Sequence, residues 1–258
     1  MHLCLPLRRY KRKMTHHIYF RVLGYVATIV MHISNLVWMR NTIKSGSVSA
    51  NDLEDAGIKT FTRMEYRYLT TWTVGLQIGY AFFGLFCDAL ILLNSSKKNY
   101  SLPKQLRAGR EIMFSGIVWP SSWVVSSLFW SLFLYDRSLV FPEFLDRIVT
   151  TTSNHVIHTA IVPVVLWEVV FRPRREPKTH VRNIMQLTLH MIVYASVLHF
   201  TYFESGVWLY PILEVVYGTI HFTLLHVFVI VLSYLTYFAQ WNLNNYIHGN
   251  IDNEKKVK

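Results

Sequence analysis

The sequence predicts an all-α fold, a polytopic membrane protein built as a bundle of about six transmembrane helices. Three observations predict it. First, 52% of the 258 residues are hydrophobic and 16% are charged, too apolar a balance for an ordinary soluble domain. Second, the apolar residues gather in six blocks, each about the length of the roughly 20 helical residues that cross a hydrocarbon core about 30 Å thick. Third, no Asp, Glu, Lys or Arg lies near the middle of a block, where a charge would cost roughly 2.5–3.5 kcal/mol on the translocon scale.

In chain order the blocks cover about 18–38, 67–93, 112–135, 149–171, 184–203 and 212–238. None carries the polar stripe that a surface helix of a soluble bundle needs. Arg21, Asp88, Glu168 and Glu214 fall close to block ends, where they are expected to reach headgroups or water. The first block follows a basic segment, 1–17, and lacks an obvious small-residue cleavage site. It is long enough to span, so it reads as a helix of the bundle and not as a cleavable signal. Cys4 and Cys87 offer neither a disulfide framework nor metal-ligand spacing and read as ordinary thiols.

The basic residues orient the bundle. Arg8, Arg9, Lys11, Arg12 and Lys13 precede the first block. Lys97, Lys98, Lys104, Arg107 and Arg110 follow the second, and Arg172, Arg174, Arg175, Lys178 and Arg182 follow the fourth. The tail, 239–258, adds Lys255, Lys256 and Lys258. The opposite loops hold fewer, and these are mixed with acids. The positive-inside rule therefore puts segment 1–17 and the tail in the cytosol. Orientation also accounts for the net charge of +11 without any nucleic-acid partner.

Two expectations follow from this topology. The sequons Asn94-Ser95-Ser96 and Asn99-Tyr100-Ser101 lie in the cytosolic loop after the second block and should stay unglycosylated. A glycosidase-sensitive mobility shift that disappears with Asn94→Gln and Asn99→Gln would reverse the topology. The end of the chain, Lys255-Lys256-Val257-Lys258, resembles a dilysine retrieval signal of endoplasmic-reticulum membrane proteins. Replacing Lys255 and Lys256 with Ser should let protein escape to the Golgi or cell surface, and wild type already residing at the plasma membrane would overturn that reading.

Polar residues at membrane depth are functional candidates, since each must find a partner or a water-filled cavity. Seven of the twelve histidines lie in or beside the blocks: His32, His155, His158, His190, His199, His221 and His226. The densest cluster is Asn154-His155-Val156-Ile157-His158-Thr159. In a helix Asn154 and His158 are four apart and His155 and His158 three apart, so the three are expected on one face. Thr151, Thr152 and Ser153 are candidate N-cap residues, which sets His158 about 8 Å in from a start near Ser153. The second block enters from the same side through Tyr68-Leu69-Thr70, so Thr70 and His158 share a side and a similar depth. A hydroxyl beside an imidazole is the minimal arrangement for covalent acyl transfer. A threonine in a transmembrane helix ordinarily bonds back to its own helix instead, and the residues alone leave both alternatives open.

At these residues the chain resembles the androgen-induced, androgen-dependent group of six-span membrane hydrolases, over roughly 66–250. Tyr68-Leu69-Thr70 is similar to that group's aromatic-Leu-Thr, and Asn154-His155 with His158-Thr159 to its Asn-His-x-x-His-Thr. Tyr135-Asp136-Arg137 with Pro142 and Leu145-Asp146, the run Gly206-x-Trp208-x-Tyr210-Pro211-x-Leu213-Glu214, and Leu243-Asn244-Asn245-Tyr246 resemble three further motifs. The chain departs from the pattern where Thr151-Thr152-Ser153 replaces a Pro-Gly-Trp and where Thr73 replaces an acid.

The resemblance implies hydrolysis of lipid esters such as fatty acid esters of hydroxy fatty acids. Thr70 would be the nucleophile and His158 the general base, with Asn154 or His155 as supporting donors to the oxyanion or to His158. It implies no metal and no organic cofactor. Two other readings remain: a histidine-ligated di-metal membrane oxygenase, for which His155/His158 and His221/His226 are the available pairs, and a non-catalytic lipid transporter or binding protein.

Overall fold

The structure is a computed structural model that describes residues 5–44, 55–97 and 100–249. Cys4, Lys98, Asn99 and the Lys255-Lys256-Val257-Lys258 tail lie outside these residues, as do the side chains of 5–16, the N-terminal basic cluster among them. Among the described residues the regular elements are helical: α1 (Leu5–Lys44), α2 (Ala56–Met64), α3 (Leu69–Leu93), α4 (Lys104–Met113), α5 (Trp119–Asp136), α6 (Thr151–His158), α7 (Ile161–Phe171), α8 (Val181–Ser205), α9 (Pro211–Val216) and α10 (Ile220–His248). Six stretches are long and apolar enough to cross a membrane. They are His17–Thr42 in α1, all of α3, Lys104–Leu139 through α4 and α5, Thr151–Phe171 through α6 and α7, all of α8 and all of α10.

The surface is more apolar and the interior more polar than in a water-soluble protein. Leu189, Ile192 and Phe200 on α8, and Leu224, Phe228 and Leu235 on α10, point outward, while His32, Gln77, Asp88, Ser122, Gln240 and Asn244 are buried. Only a hydrocarbon solvent makes that arrangement favourable, because outward apolar groups cost nothing there and each polar group needs a partner inside. Gln77 supplies such partners at mid-bundle. It meets His32 Nε2 at 2.8 Å and donates to Ser122 Oγ and to the Ile161 carbonyl, both at 2.8 Å, which ties α1, α3, α5 and α7 together.

Three irregularities shape the spans, and each has a local cause. A π turn, Phe114–Val118, joins α4 to α5 just ahead of Pro120. The Trp119 N–H reaches back five residues to the Phe114 carbonyl, and Pro120 has no N–H to offer the next carbonyl, that of Ser115. Gln240 Nε2 from α10 donates to it instead, at 3.1 Å. The fourth span breaks between His158 and Ile161 because Pro163 has no N–H for the Thr159 carbonyl, which accepts from Val162 at 3.2 Å. The block 212–238 also proves discontinuous. The chain turns at Gly218, with φ of +76°, a conformation that L side chains resist. The last spanning helix therefore starts at Ile220 and runs to His248, well into the segment read from sequence as tail.

The charges near block ends do not all reach headgroups. Glu214 is exposed, but Arg21, Asp88 and Glu168 are buried in one ionic network. Asp88 accepts from Arg21 Nε at 2.8 Å and from Arg110 Nη1 at 2.8 Å. Glu168 accepts from the Tyr25 and Tyr80 hydroxyls, each at 2.5 Å, and pairs with Arg172 at 3.0 Å. Position along a block gives depth, but it does not say whether a side chain faces lipid or protein. Gly84 makes room for the network, since a Cβ there would lie 2.6 Å from Tyr25 Cζ. Beside the network Asn244 clasps the backbone of Arg174, accepting from its N–H at 3.0 Å and donating to its carbonyl at 2.8 Å. All this lies at the end of the bundle away from the start of α3.

Candidate active site

Thr70 sits in the first turn of α3, where helical N–H groups have no intrahelical acceptor. Tyr68, with extended backbone, precedes the helix and makes no side-chain cap. The cap comes from elsewhere: the Leu69 N–H donates to the hydroxyls of Tyr194 at 2.9 Å and Tyr210 at 3.0 Å, which bond one another at 2.9 Å. Burial raises the Tyr210 phenol above its ordinary pKa, so it stays a neutral partner. Arg67, just before the helix, bonds Thr201 at 3.1 Å and pairs with Glu204 at 2.6 Å, both on α8. The start of α3 is therefore pinned to α8 and to the loop that carries Tyr210.

Within this frame Thr70 Oγ1 lies 3.2 Å from His158 Nε2. The imidazole is buried and sits face to face with Phe129, ring centroids 3.4 Å apart and planes 5° from parallel. Its Nδ1 lies 2.7 Å from Asn154 Oδ1 and 3.2 Å from the Asn154 carbonyl. Both are acceptors, so Nδ1 carries the ring proton and Nε2 is left with a lone pair toward the hydroxyl. Many span hydroxyls bond back to a carbonyl four residues earlier, as Thr28, Ser122, Thr188 and Ser233 do. Thr70 bonds an imidazole instead.

The pair opens on a cavity of about 470 Å³. The wall is mostly apolar, with Leu36, Val125, Leu128, Met191, Leu198 and Val229 contributing from four helices. The volume falls in the range of sites that enclose small organic ligands.

Of the four residues singled out from sequence, three converge: Thr70, His158 and Asn154. His155 does not. It is exposed, stacks on Trp130 with centroids 5.1 Å apart, and its Nδ1 meets Thr159 Oγ1 at 3.1 Å. A three-residue step leaves two side chains about 60° apart around a helix, enough for Trp130 to draw His155 off the shared face. The N-cap also differs. Thr150 fills that role, its Oγ1 accepting from the Ser153 N–H at 3.2 Å, so α6 starts at Thr151 and His158 lies about 10 Å in.

Sequence reasoning missed Phe129, Tyr194 and the capping role of Tyr210, although Tyr210 stood in a quoted motif. The Arg137 motif closes its loop through Asp146 at 2.7 Å. Among the other histidines, His199 and His226 donate Nδ1 to carbonyls of their own helices at 2.8 Å, and His221 is exposed. Among the described residues no three His, Cys, Asp or Glu side chains gather as a metal-binding set.

A family model described as FAR-17a/AIG1-like protein matches residues 27–245. The androgen-dependent TFPI-regulating protein of Homo sapiens is 31% identical over 188 residues, covering 72% of this chain and 78% of that protein. Its namesake in Mus musculus is 32% identical over 149 residues, 57% of this chain and 62% of that protein. The androgen-induced gene 1 protein of Homo sapiens is 27% identical over 156 residues, 58% of this chain and 63% of that protein. No solved structure matches the chain.

Proposed function

We propose, from the premise that the chain belongs to the FAR-17a/AIG1-like family, that it is a membrane-embedded hydrolase of lipid esters, with Thr70 as nucleophile and His158 as general base. The observation that carries this reading is the 3.2 Å approach of Thr70 Oγ1 to His158 Nε2 at the wall of an apolar cavity. The substrate class is bioactive lipids such as fatty acid esters of hydroxy fatty acids, whose two hydrocarbon arms suit an apolar wall with few polar groups.

In this mechanism Thr70 Oγ1 attacks the ester carbonyl while its proton passes to His158 Nε2. The oxyanion forms beside the first turn of α3, whose positive dipole end favours negative charge. Collapse expels the alcohol, which takes the proton from His158, and leaves an acyl ester on Thr70. Water then attacks, again giving a proton to His158, and the carboxylic acid is released as Thr70 recovers its hydrogen. Asn154 positions His158 by accepting from Nδ1 throughout. No step uses a metal or organic cofactor. The accompanying proposals are cytosolic termini, which puts the site at the luminal end of the bundle, and residence in the endoplasmic reticulum.

The direct test is a fluorophosphonate probe together with a panel of lipid esters, applied to membranes carrying wild type or Thr70→Ala. Labelling at Thr70 and hydrolysis that both vanish in the variant are expected. Equal hydrolysis by the two membranes would return Thr70 to a structural role.

A further inference from the structure

The cavity holds a second hydroxyl–imidazole pair that the hydrolytic mechanism does not use. Ser121 Oγ on α5 lies 3.3 Å from His190 Nε2 on α8, and both residues line the cavity that Thr70 and His158 line. Ser121 does not bond back to its helix, although its neighbour Ser122 does so at 2.7 Å. The hydrogen bond that His190 makes among the described residues is through Nε2, whereas His199 and His226 each commit Nδ1 to a carbonyl of their own helix. On the wall of the same cavity Thr188 Oγ1 and Tyr234 OH bond each other at 2.8 Å. Polar groups held at an otherwise apolar wall retain unused hydrogen-bonding capacity, which favours a ligand that brings an oxygen atom to them.

The helix α5 gives the separation of the two pairs. Phe129, stacked on His158, and Ser121 are eight residues apart on one continuous helix, so their backbone positions lie about 12 Å apart along its axis. An extended chain of single bonds advances roughly 1.2 Å per bond, which makes the interval about ten bonds.

We propose that Ser121 and His190 form a polar subsite that holds a second oxygen function, a hydroxyl or a protonated carboxyl, about ten bonds from the scissile ester. The serine donates or accepts and the uncharged imidazole does the reverse, so a neutral oxygen with one hydrogen is satisfied on both counts. A plain hydrocarbon arm would leave the remaining hydrogen-bonding capacity of both groups unused. The subsite thus selects lipid esters that are oxygenated at a distance over simple esters. This inference rests on the hydrolase reading for its kinetic form, but its binding form stands without it.

The test uses full-length protein in detergent and four esters of one acyl length. One is plain, one carries a hydroxyl about ten bonds from the ester, one carries a carboxyl there, and one carries that carboxyl as a methyl ester. Wild type should prefer the hydroxyl or carboxyl ester over the plain one by about tenfold in kcat/KM, the size of one or two net hydrogen bonds. The hydroxyl and carboxyl arms identify which group is taken, and the methyl ester should lose the preference. Ser121→Ala and His190→Leu should each bring the ratio close to one, and His190→Gln, which keeps a donor and an acceptor, should restore part of it.

A wild type that does not discriminate, or variants that keep the wild-type ratio, would overturn the subsite. So would complete loss of hydrolysis of every ester in folded Ser121→Ala, since Ser121 would then be the nucleophile. Ether analogues that cannot be cleaved, scored by thermal shift, separate the two readings. If wild type cleaves nothing, the hydrolase reading fails. The subsite still stands if the hydroxylated ether stabilises wild type more than the plain one does and Ser121→Ala removes the difference, and it falls if the two ethers act alike.

Discussion

Thr70→Ala and His158→Ala should each reduce lipid-ester hydrolysis by on the order of a thousandfold or more, in protein that still folds. The first substitution removes the attacking oxygen. The second leaves a neutral alcohol with no base 3.2 Å away. Because the two act as one unit, the double variant should lose little more than either single one. Thr70→Ser keeps the oxygen without the methyl that limits its rotamers and should retain partial activity. Thr71→Ala and Thr73→Ala should be mild. The Thr71 hydroxyl is committed to the Glu65 carbonyl at 2.7 Å, and Thr73 Oγ1 is buried with no hydrogen-bond partner among the described residues. Initial rates on purified protein, with unfolding temperature as a control for integrity, read all of these. Losses that add across the double variant, or full activity in Thr70→Ala, would remove the catalytic assignment.

Asp88→Ala should lower the unfolding temperature by roughly 10 °C, the largest effect on stability expected from any single position. Asp88 is fully buried and holds both Arg21 and Arg110. Its removal leaves the buried Arg21 without a carboxylate and Arg110 with the more distant Glu168 at 3.5 Å, at roughly 3–5 kcal/mol for a broken buried pair. Asp88→Leu combined with Arg21→Leu and Arg110→Met should recover much of the loss, because no guanidinium is then left without its carboxylate and Glu168 keeps Arg172 at 3.0 Å. Thr70 is 18 residues away on the same helix, about 27 Å, so turnover per folded molecule should change little. An unaltered melting curve in Asp88→Ala would show that the network contributes nothing to stability.

The bundle was legible in the sequence because lipid imposes a coarse demand: some twenty apolar residues per crossing and no charge at the centre. That demand is blind to direction around a helix. Arg21, Asp88 and Glu168 therefore looked like headgroup contacts and proved to be core, while His155, one position around from His158, looked like part of the site and proved to face Trp130. Thr150 through Ser153 offers four consecutive hydroxyls of similar capping ability, and local chemistry alone does not choose among them. The pairing of Thr70 with His158 was readable as shared depth. The parts that hold it, Phe129 beneath the imidazole and Tyr194 with Tyr210 on the Leu69 N–H, come from distant helices, and no local pattern announces them.

The ionic network also bears on how the chain enters a membrane during synthesis. Four of its charges arrive in the order Arg21, Asp88, Arg110, Glu168, one on each of the first four spans, and Arg172 follows directly after the fourth. A first span inserted alone carries an unpaired cation and the second an unpaired anion, but as a hairpin the two present Arg21 already matched to Asp88 at 2.8 Å. The third and fourth repeat the pattern with Arg110 and Glu168, 3.5 Å apart. Two successive hairpins, each with its own cation and anion, spare the nascent chain the expense of lodging a lone charge in lipid at any stage. The last two spans then close over charges that already have partners.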